Sequence, residues 1–491
     1  MNQSIFDIMY PKYKITKPIR LIEMFGGYGS QHFALKYLGA NVEHWKLVEW
    51  AVKSIQAYKD AHYTNTKYDC DETITKEVLV EYLFKMGISF DYNKPATLQE
   101  IQRRKFEELK KIALNIKITN NLVNICNVKG KDLEIVDVDK YDYIITYSFP
   151  CQDLSLAGLR KGMNDTSTRS GMLWEVERIL KELNELGTLP QILLMENVPQ
   201  VIGTENVNDF NKWQTTLESL GYKNYHQNLI ATDYGIPQTR NRTFMISILG
   251  DYSYTFPQPI PLKLKLKDML EDNVDEKYYL SENAIKGMFE TDYQQNKYET
   301  RVQKEMCSTL CARDYKDPKC VEVFDFRYDE GVRTRVDTEM CPTITCKVGS
   351  SGVSGQPLAH DGDSINISQP NSKTRRGRVG KGVAQTLLTN PQIAVVDKIG
   401  NYSPSGHNAS SIVNNECSAP TVMENHGTIT ATIDNDLRIR KLTPRECFRL
   451  MGVKGEDFEN IAKNQSDSSL YHLAGDSIVV NVLMAIFKEL L

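Results

Sequence analysis

Between residues 18 and 50 the chain reads as strand, glycine turn, helix and strand: Ile19 to Met24, Phe25-Gly26-Gly27-Tyr28-Gly29, Gln31 to Leu38, and Val42 to Val48. A glycine turn that leaves a strand and opens a helix lets backbone N–H groups approach a ligand. This βαβ opening commits the chain to an α/β fold of the nucleotide-binding kind.

The rest of the pattern extends that fold. Strands are expected at Tyr143 to Tyr147, Ile192 to Met195 and Thr243 to Ile248, the second so apolar that both its faces should be covered. Met172 to Leu186 carries Leu173, Val176, Leu180 and Leu183 on one helical face, as a crossover helix would. The expected architecture is a Rossmann-like, doubly wound, mostly parallel sheet. Residues 52–120 are charged and helically periodic (Val78, Leu79, Leu83; Phe106, Leu109, Ile112) and are expected to form an insertion packed on the outside.

From 251 to 437 the texture changes to short β-prone runs between Gly, Ser, Asn and Asp clusters, which predicts a smaller, β-rich second domain. A weak motif recurs there, as Cys307-Ser-Thr-Leu, Cys341-Pro-Thr-Ile, Ala384-Gln-Thr-Leu and Ala419-Pro-Thr-Val, and suggests equivalent strands. The capping box Thr443-Pro444-Arg445-Glu446 then opens a helix that Gly452 closes, and an apolar helix follows from Ser477 to Leu491. The expected division is 1–250 catalytic, 251–437 substrate-reading, and 438–491 returning to the catalytic domain.

With 491 residues and 41% apolar content the chain can bury more than one core. No apolar run reaches the roughly 20 residues of a membrane span, and residues 1–17 lack the apolar core of a secretory signal, so no membrane partner and a cytoplasmic location are expected. The ten cysteines are scattered, which suggests free thiols. Cys307, Cys311, Cys320, Cys341 and Cys346 contain no paired C-x-x-C, and no metal is expected. A net charge of −4 gives no global sign of nucleic-acid binding. Residues 373–381 nevertheless hold five cations and no acid; alone, such a run is equally a solvated loop.

Four features carry chemistry. The third glycine of a dinucleotide turn is replaced by His32, which disfavours a pyrophosphate, whereas Glu49, twenty residues past Gly29, can accept from both ribose hydroxyls and Trp50 can stack on an adenine. Adenosine without pyrophosphate fits best. Cys151, in Ser148-Phe-Pro-Cys-Gln-Asp-Leu-Ser155, directly follows a strand, where a thiol can become a nucleophile; taken alone such a cysteine is more often an inert core thiol. Glu196 ends an apolar strand, and Arg240 and Arg242, singly readable as surface charges, precede another.

In this order the motifs resemble those of the DNA (cytosine-5) methyltransferase family: Phe25-Gly-Gly-Tyr-Gly29, Pro150-Cys-Gln152, Glu196-Asn-Val198, Gln238-x-Arg240-x-Arg242, Arg440-Lys-Leu-Thr-Pro-Arg-Glu446 with Arg449-Leu-Met-Gly452, and Gly475-Asp-Ser-Ile-Val-Val480. The resemblance covers nearly everything outside 52–120 and 251–437. It implies an S-adenosylmethionine-dependent methyltransferase fold and a reaction in which Cys151 adds to carbon 6 of a flipped-out cytosine, Glu196 binds ring nitrogen 3 and the exocyclic amine, and Arg242, with Arg240 beside it, holds the ring oxygen. It assigns Phe25, Gly27, Tyr28, Gly29, Glu49, Trp50, Asn124, Ile125, Pro150, Leu173, Asp476 and Ser477 to S-adenosylmethionine. Asn124 and Asp476 stand where the family usually has Asp and Asn.

The resemblance further implies that Gln152, Ser155, Arg160, Lys161 and Arg169 lie on a loop that closes over double-stranded DNA, and that 251–437 is a target-recognition domain in which Lys373, Arg375, Arg376 and Arg378 meet phosphate or guanine. A cognate restriction endonuclease acting separately, and a monomeric state, complete the expectation. A tRNA cytosine methyltransferase would use the same motifs, but a recognition segment this large suits duplex DNA. An NAD oxidoreductase is opposed by His32, and a non-catalytic DNA-binding module by the joint presence of Cys151, Glu196 and Arg242.

Overall fold

The computed structural model describes residues 10–64, 66, 73–150, 170–278 and 437–491, together with short strands between 326 and 398. It divides into two compact units, one made of 1–236, 240–262 and 451–491, the other of 237–239 and 263–450.

The first unit is built on a six-stranded sheet of β1 (Ile19–Met24), β2 (Val42–Val48), β3 (Asp142–Tyr147), β4 (Ile192–Asn197), β5 (Tyr222–Ile230) and β6 (Asn241–Leu249), ordered β2-β1-β3-β4-β6-β5. β1 to β4 run parallel, and β6 lies antiparallel to both β4 and β5. Every residue of β3 and β4 is buried, as the apolar runs require of strands covered on both faces. The edge strand β5 was not expected from the sequence. Tyr-Lys-Asn-Tyr-His-Gln-Asn-Leu-Ile is mostly polar because its middle faces solvent, and Tyr222 and Leu229 anchor it.

The helix Leu173–Glu185 lays Val176, Ile179, Leu180 and Leu183 on one face of this sheet, beside Phe210, Trp213 and Leu217 of the helix Val207–Ser219. Each such side chain contributes about 1.5–3 kcal/mol by leaving water. The indole of Trp213 donates to the Tyr147 hydroxyl, so its polar atom is also satisfied in the core. Helix Val480–Leu490 packs on helix Ser30–Tyr37. The stretch Asp467–Leu490 has the length and hydropathy of a membrane span, but 72% of that window is buried in the protein's own core.

Residues 52–120 depart from the expected outer insertion. Ser54 to Ala61 of helix Val52–His62 are all buried, charged residues included. Their polar atoms are paired internally: Gln56 donates to Asp60 at 2.6 Å, and Asn115 and Asn464 donate to Gln56 and Asp60, both at 2.9 Å. The following helices, Lys76–Met86, Leu98–Gln102 and Phe106–Ile118, form an added layer around a second core that includes Leu83, Ile101, Leu109 and Ile112 together with Ile55 of helix Val52–His62.

In the second unit, Val379–Gly380, Ser364–Asn366, Ile393–Lys398 and Leu437–Lys441 pair in that order as an antiparallel sheet, so residue 437 begins a strand that belongs here. Thr443 and Glu446 form the capping box: the Thr443 N–H donates to the Glu446 carboxylate at 2.7 Å, and the Glu446 N–H donates to the Thr443 hydroxyl at 3.2 Å. The four Thr-centred repeats at 307, 341, 384 and 419 and the five cysteines considered for metal lie outside the described residues.

Candidate active site

The glycine turn after β1 folds back on the end of β2. Phe25 (φ 58), Gly27 (φ 55) and Gly29 (φ 83) are all left-handed, and the Gly27 N–H donates to the Glu49 carboxylate at 3.0 Å. The other Glu49 oxygen accepts the Ala51 N–H at 2.8 Å. Asn121 pins the Glu49 backbone from both sides, accepting its N–H at 3.1 Å and donating to its carbonyl at 2.9 Å. Burial pushes the Glu49 carboxyl up to about 7, the two N–H donors pull against this, and the charge of Asp476 adds to the rise.

The two glycines differ in what surrounds them. A Cβ on Gly29 would stand 2.4 Å from His62 Nε2 and 2.7 Å from the Tyr58 ring, whereas one on Gly27 would meet nothing within 4 Å. The space over Gly27 is open, next to a buried carboxylate. Both suit an adenosine whose ribose hydroxyls need an acceptor.

Around this turn the other expected cofactor residues take varied places. Trp50 is half-buried against the core of the added helices, and its carbonyl accepts the Ser89 N–H at 2.8 Å. The Asn124 side-chain oxygen caps its own turn by accepting the Cys126 N–H at 3.1 Å, while Ile125 and Leu173 are buried in the sheet's core. Tyr28 is buried, with Ser30 and Ser477 as polar neighbours. Asp476 is half exposed and pairs with His472 at 3.0 Å.

At the end of β4, Glu196 is buried and Arg242 Nε lies 3.1 Å from its Oε1. The antiparallel course of β6 causes this meeting. Glu196 pairs in register with Phe244, so the start of β6 falls beside the end of β4. Burial raises the Glu196 carboxyl, against the pull of Arg242 and Arg240. Asn197 donates to the Phe149 carbonyl at 3.0 Å and ties this strand end to the segment leading to Pro150.

Arg240 does not join Glu196 by hydrogen bond. Its guanidinium is buried and donates to the carbonyls of Gly475 (3.0 Å) and Ser477 (2.6 Å), which fixes the turn carrying Asp476. Cys151, Gln152, Ser155, Arg160, Lys161 and Arg169 lie outside the described residues, as do Lys373, Arg375, Arg376 and Arg378. Asn121, with its grip on Glu49, was not foreseen: it is one Asn in a polar run 72 positions away, with no local signal.

A family model described as C-5 cytosine-specific DNA methylase matches residues 106–491. The Lactococcus lactis subsp. cremoris protein "Type II methyltransferase M2.ScrFI" is 30% identical over 96% of this chain and 99% of its own length. "Orphan methyltransferase M.SssI" of Spiroplasma monobiae is 37% identical over 55% of this chain and 69% of its own. A buried acid paired with an arginine at one strand end, an open glycine turn beside a buried carboxylate, and these matches together establish that the chain belongs to the C-5 cytosine-specific DNA methylase family and is a DNA (cytosine-5-)-methyltransferase.

Proposed function

We propose that the enzyme methylates carbon 5 of a cytosine turned out of double-stranded DNA, with S-adenosylmethionine as donor and Cys151 as nucleophile. The observation that carries this reading is the pair of buried Glu196 with Arg242 at the strand end tied by Asn197 to the segment before Pro150.

Carbon 5 of cytosine is a poor nucleophile until a group adds to carbon 6. The Cys151 thiolate forms that bond, and the ring's electron pair moves toward nitrogen 3. Glu196, its carboxyl raised by burial, is suited to hold a proton there, donating it to nitrogen 3 while accepting from the exocyclic amine. Arg242 keeps Glu196 oriented and reaches the ring oxygen. S-adenosylmethionine, when bound, supplies an electrophilic methyl group. Loss of the carbon 5 proton then returns the electron pair and expels the Cys151 thiolate.

Glu49 would hold the ribose, Phe25 and Trp50 the adenine, and Gly27, Tyr28, Gly29, Asn124, Ile125, Pro150, Leu173, Asp476 and Ser477 the remainder of the cofactor. Because carbon 6 is hidden in the base stack, the target must leave the duplex at a cost of a few kcal/mol. Gln152, Ser155, Arg160, Lys161 and Arg169 would close on the DNA. Residues 251–437 would read its sequence, with Lys373, Arg375, Arg376 and Arg378 on phosphate or guanine. As the relative named a type II methyltransferase suggests, the methyl marks would protect against an endonuclease acting separately.

The test is bisulfite sequencing of DNA from cells expressing the protein or its Cys151→Ser variant. Methylated cytosines in one short context, absent with the variant, are expected. Methylation that persists in the variant would remove the covalent step, and trapping on 5-fluorocytosine DNA checks the adduct itself, since fluorine cannot leave as a proton.

A further inference from the structure

The helix Phe106–Ile118 of the added layer ends beside β2. Its last turn closes as the N–H groups of Asn120 and Asn121 donate to the carbonyls of Lys117 (3.2 Å) and Ile116 (3.0 Å), with Asn120 in the left-handed conformation (φ 44) that ends helices. The chain leaving the helix then lies parallel to the end of β2: the Leu47 N–H donates to the Asn120 carbonyl at 3.3 Å, and the Leu122 N–H to the Leu47 carbonyl at 2.8 Å. This pairing brings the buried side chain of Asn121 against Glu49.

One carboxamide there serves two stretches of backbone. Asn121 Oδ1 accepts the Glu49 N–H at 3.1 Å and the Val123 N–H at 2.9 Å, and Nδ2 donates to the Glu49 carbonyl at 2.9 Å. Glu49 is the acid whose carboxylate holds the glycine turn through the Gly27 N–H, and Val123 directly precedes Asn124. Val123 is buried at φ 66, a conformation that a β-branched residue adopts only where its surroundings enforce it. The bond to Asn121 and the core of the added helices, of which Val123 is part, hold it there. The spacing between the end of β2 and the Asn124–Ile125 segment is therefore fixed by the atoms of a single side chain. Because all three hydrogen bonds are buried, removing that side chain strands two N–H groups and a carbonyl.

Resting on the cofactor reading above, in which Glu49 holds the ribose and Asn124 and Ile125 a further part of the ligand, we propose that Asn121 is a positioning residue for S-adenosylmethionine that sets the spacing between these two parts of its site. It acts through the backbone of Glu49 and Val123 and not by touching the ligand. The strained backbone at Val123 is a consequence of that spacing, and the added layer delivers the residue that maintains it.

The test is calorimetric titration of the full chain with S-adenosylmethionine, in a double-mutant cycle with Glu49→Gln. Asn121→Ala should lower affinity about 10-fold in the wild-type background and by about twofold or less in Glu49→Gln, where the ribose contact that Asn121 positions is already weakened. In assays with DNA, its KM for the cofactor should rise by a similar factor while kcat at saturating cofactor stays within about twofold. Asn121→Asp, which can still accept both N–H groups and loses only the donor to Glu49, should fall between. If Asn121→Ala is unfolded at the titration temperature, Asn121→Asp takes its place in the cycle with the same two readings. An equal loss in both backgrounds is the mark of general destabilisation and overturns the inference, as does unchanged affinity in the Asn121 variant. A wild-type protein that does not bind S-adenosylmethionine removes the cofactor reading instead, a result distinct from either.

Discussion

Arg242 Nε lies 3.1 Å from Oε1 of the buried Glu196, in a pair that spans the antiparallel junction of β4 and β6. The carboxyl of Glu196 is raised by burial and lowered by this guanidinium. If its protonated form serves nitrogen 3, activity is kept below its pKa and lost as pH rises through it. Arg242→Gln, by removing the lowering charge, should move the alkaline limb of the kcat/KM profile to higher pH, with kcat down roughly 100- to 1,000-fold. An unmoved limb would mean that another group sets it.

Arg240 is predicted to matter through the turn it holds. Arg240→Ala leaves the Gly475 and Ser477 carbonyls without their donors in a buried site, which should cost about 2–4 kcal/mol. Arg240→Lys, able to serve one carbonyl, should fall between. Urea denaturation measures both, and wild-type stability in Arg240→Ala would show that the two hydrogen bonds carry no weight.

Gly27 and Gly29 should respond differently to alanine. At Gly29 the new methyl meets His62 and Tyr58 and the left-handed backbone is strained, so a loss of about 2–4 kcal/mol in stability is expected. At Gly27 only the backbone strain of about 1 kcal/mol applies, because the methyl enters open space. There the loss should instead appear in S-adenosylmethionine affinity, read by titration against thermal denaturation of the same variants.

A buried network should set part of the stability against pH. Glu23, His32 and His44 bring their ligand atoms within 4.8 Å of one another, with the Tyr58 hydroxyl bonded to Glu23 and to His44 Nδ1 (2.6 Å). His44 Nε2 must carry a proton, since it faces the Thr119 carbonyl at 2.9 Å. The Tyr58 hydroxyl donates to the Glu23 carboxylate, which opposes the effect of burial on that acid. Burial still pushes Glu23 up to about 8, and it pushes His32 and His44 down to about 3 and about 4. The Glu23 contribution is full below its ordinary value near 4.5 and is lost as pH rises through about 8; the histidine contribution is full above 6.5 and is lost as pH falls toward 4 and 3. Glu23→Gln should therefore flatten the decline in Tm between pH 5 and 8. An identical decline in the variant would show that Glu23 is not its source.

Much of this was legible locally. The strand–turn–helix at 19–37, the apolar runs of β3 and β4 and the capping box at Thr443 and Glu446 announce themselves because each depends on residues within one or two turns of chain. Glu49 and Glu196 could be named for the same reason: an acid at the end of an apolar strand has few structural uses. What the sequence alone determined is thus the α/β class and the strand ends that bear the acids.

The tertiary structure decided the rest, because it depended on contacts far apart in the chain. The polar strand β5 exists by pairing with β6, not by its own pattern. The charged helix Val52–His62 is buried because Asn115 and Asn464 satisfy its polar groups. Arg240 and Arg242, two residues apart, part company: one ends on carbonyls near Asp476, the other on Glu196. That separation follows from β6 running against β4, since a strand laid parallel would have carried its first residues to the opposite edge of the sheet, away from the acid they serve.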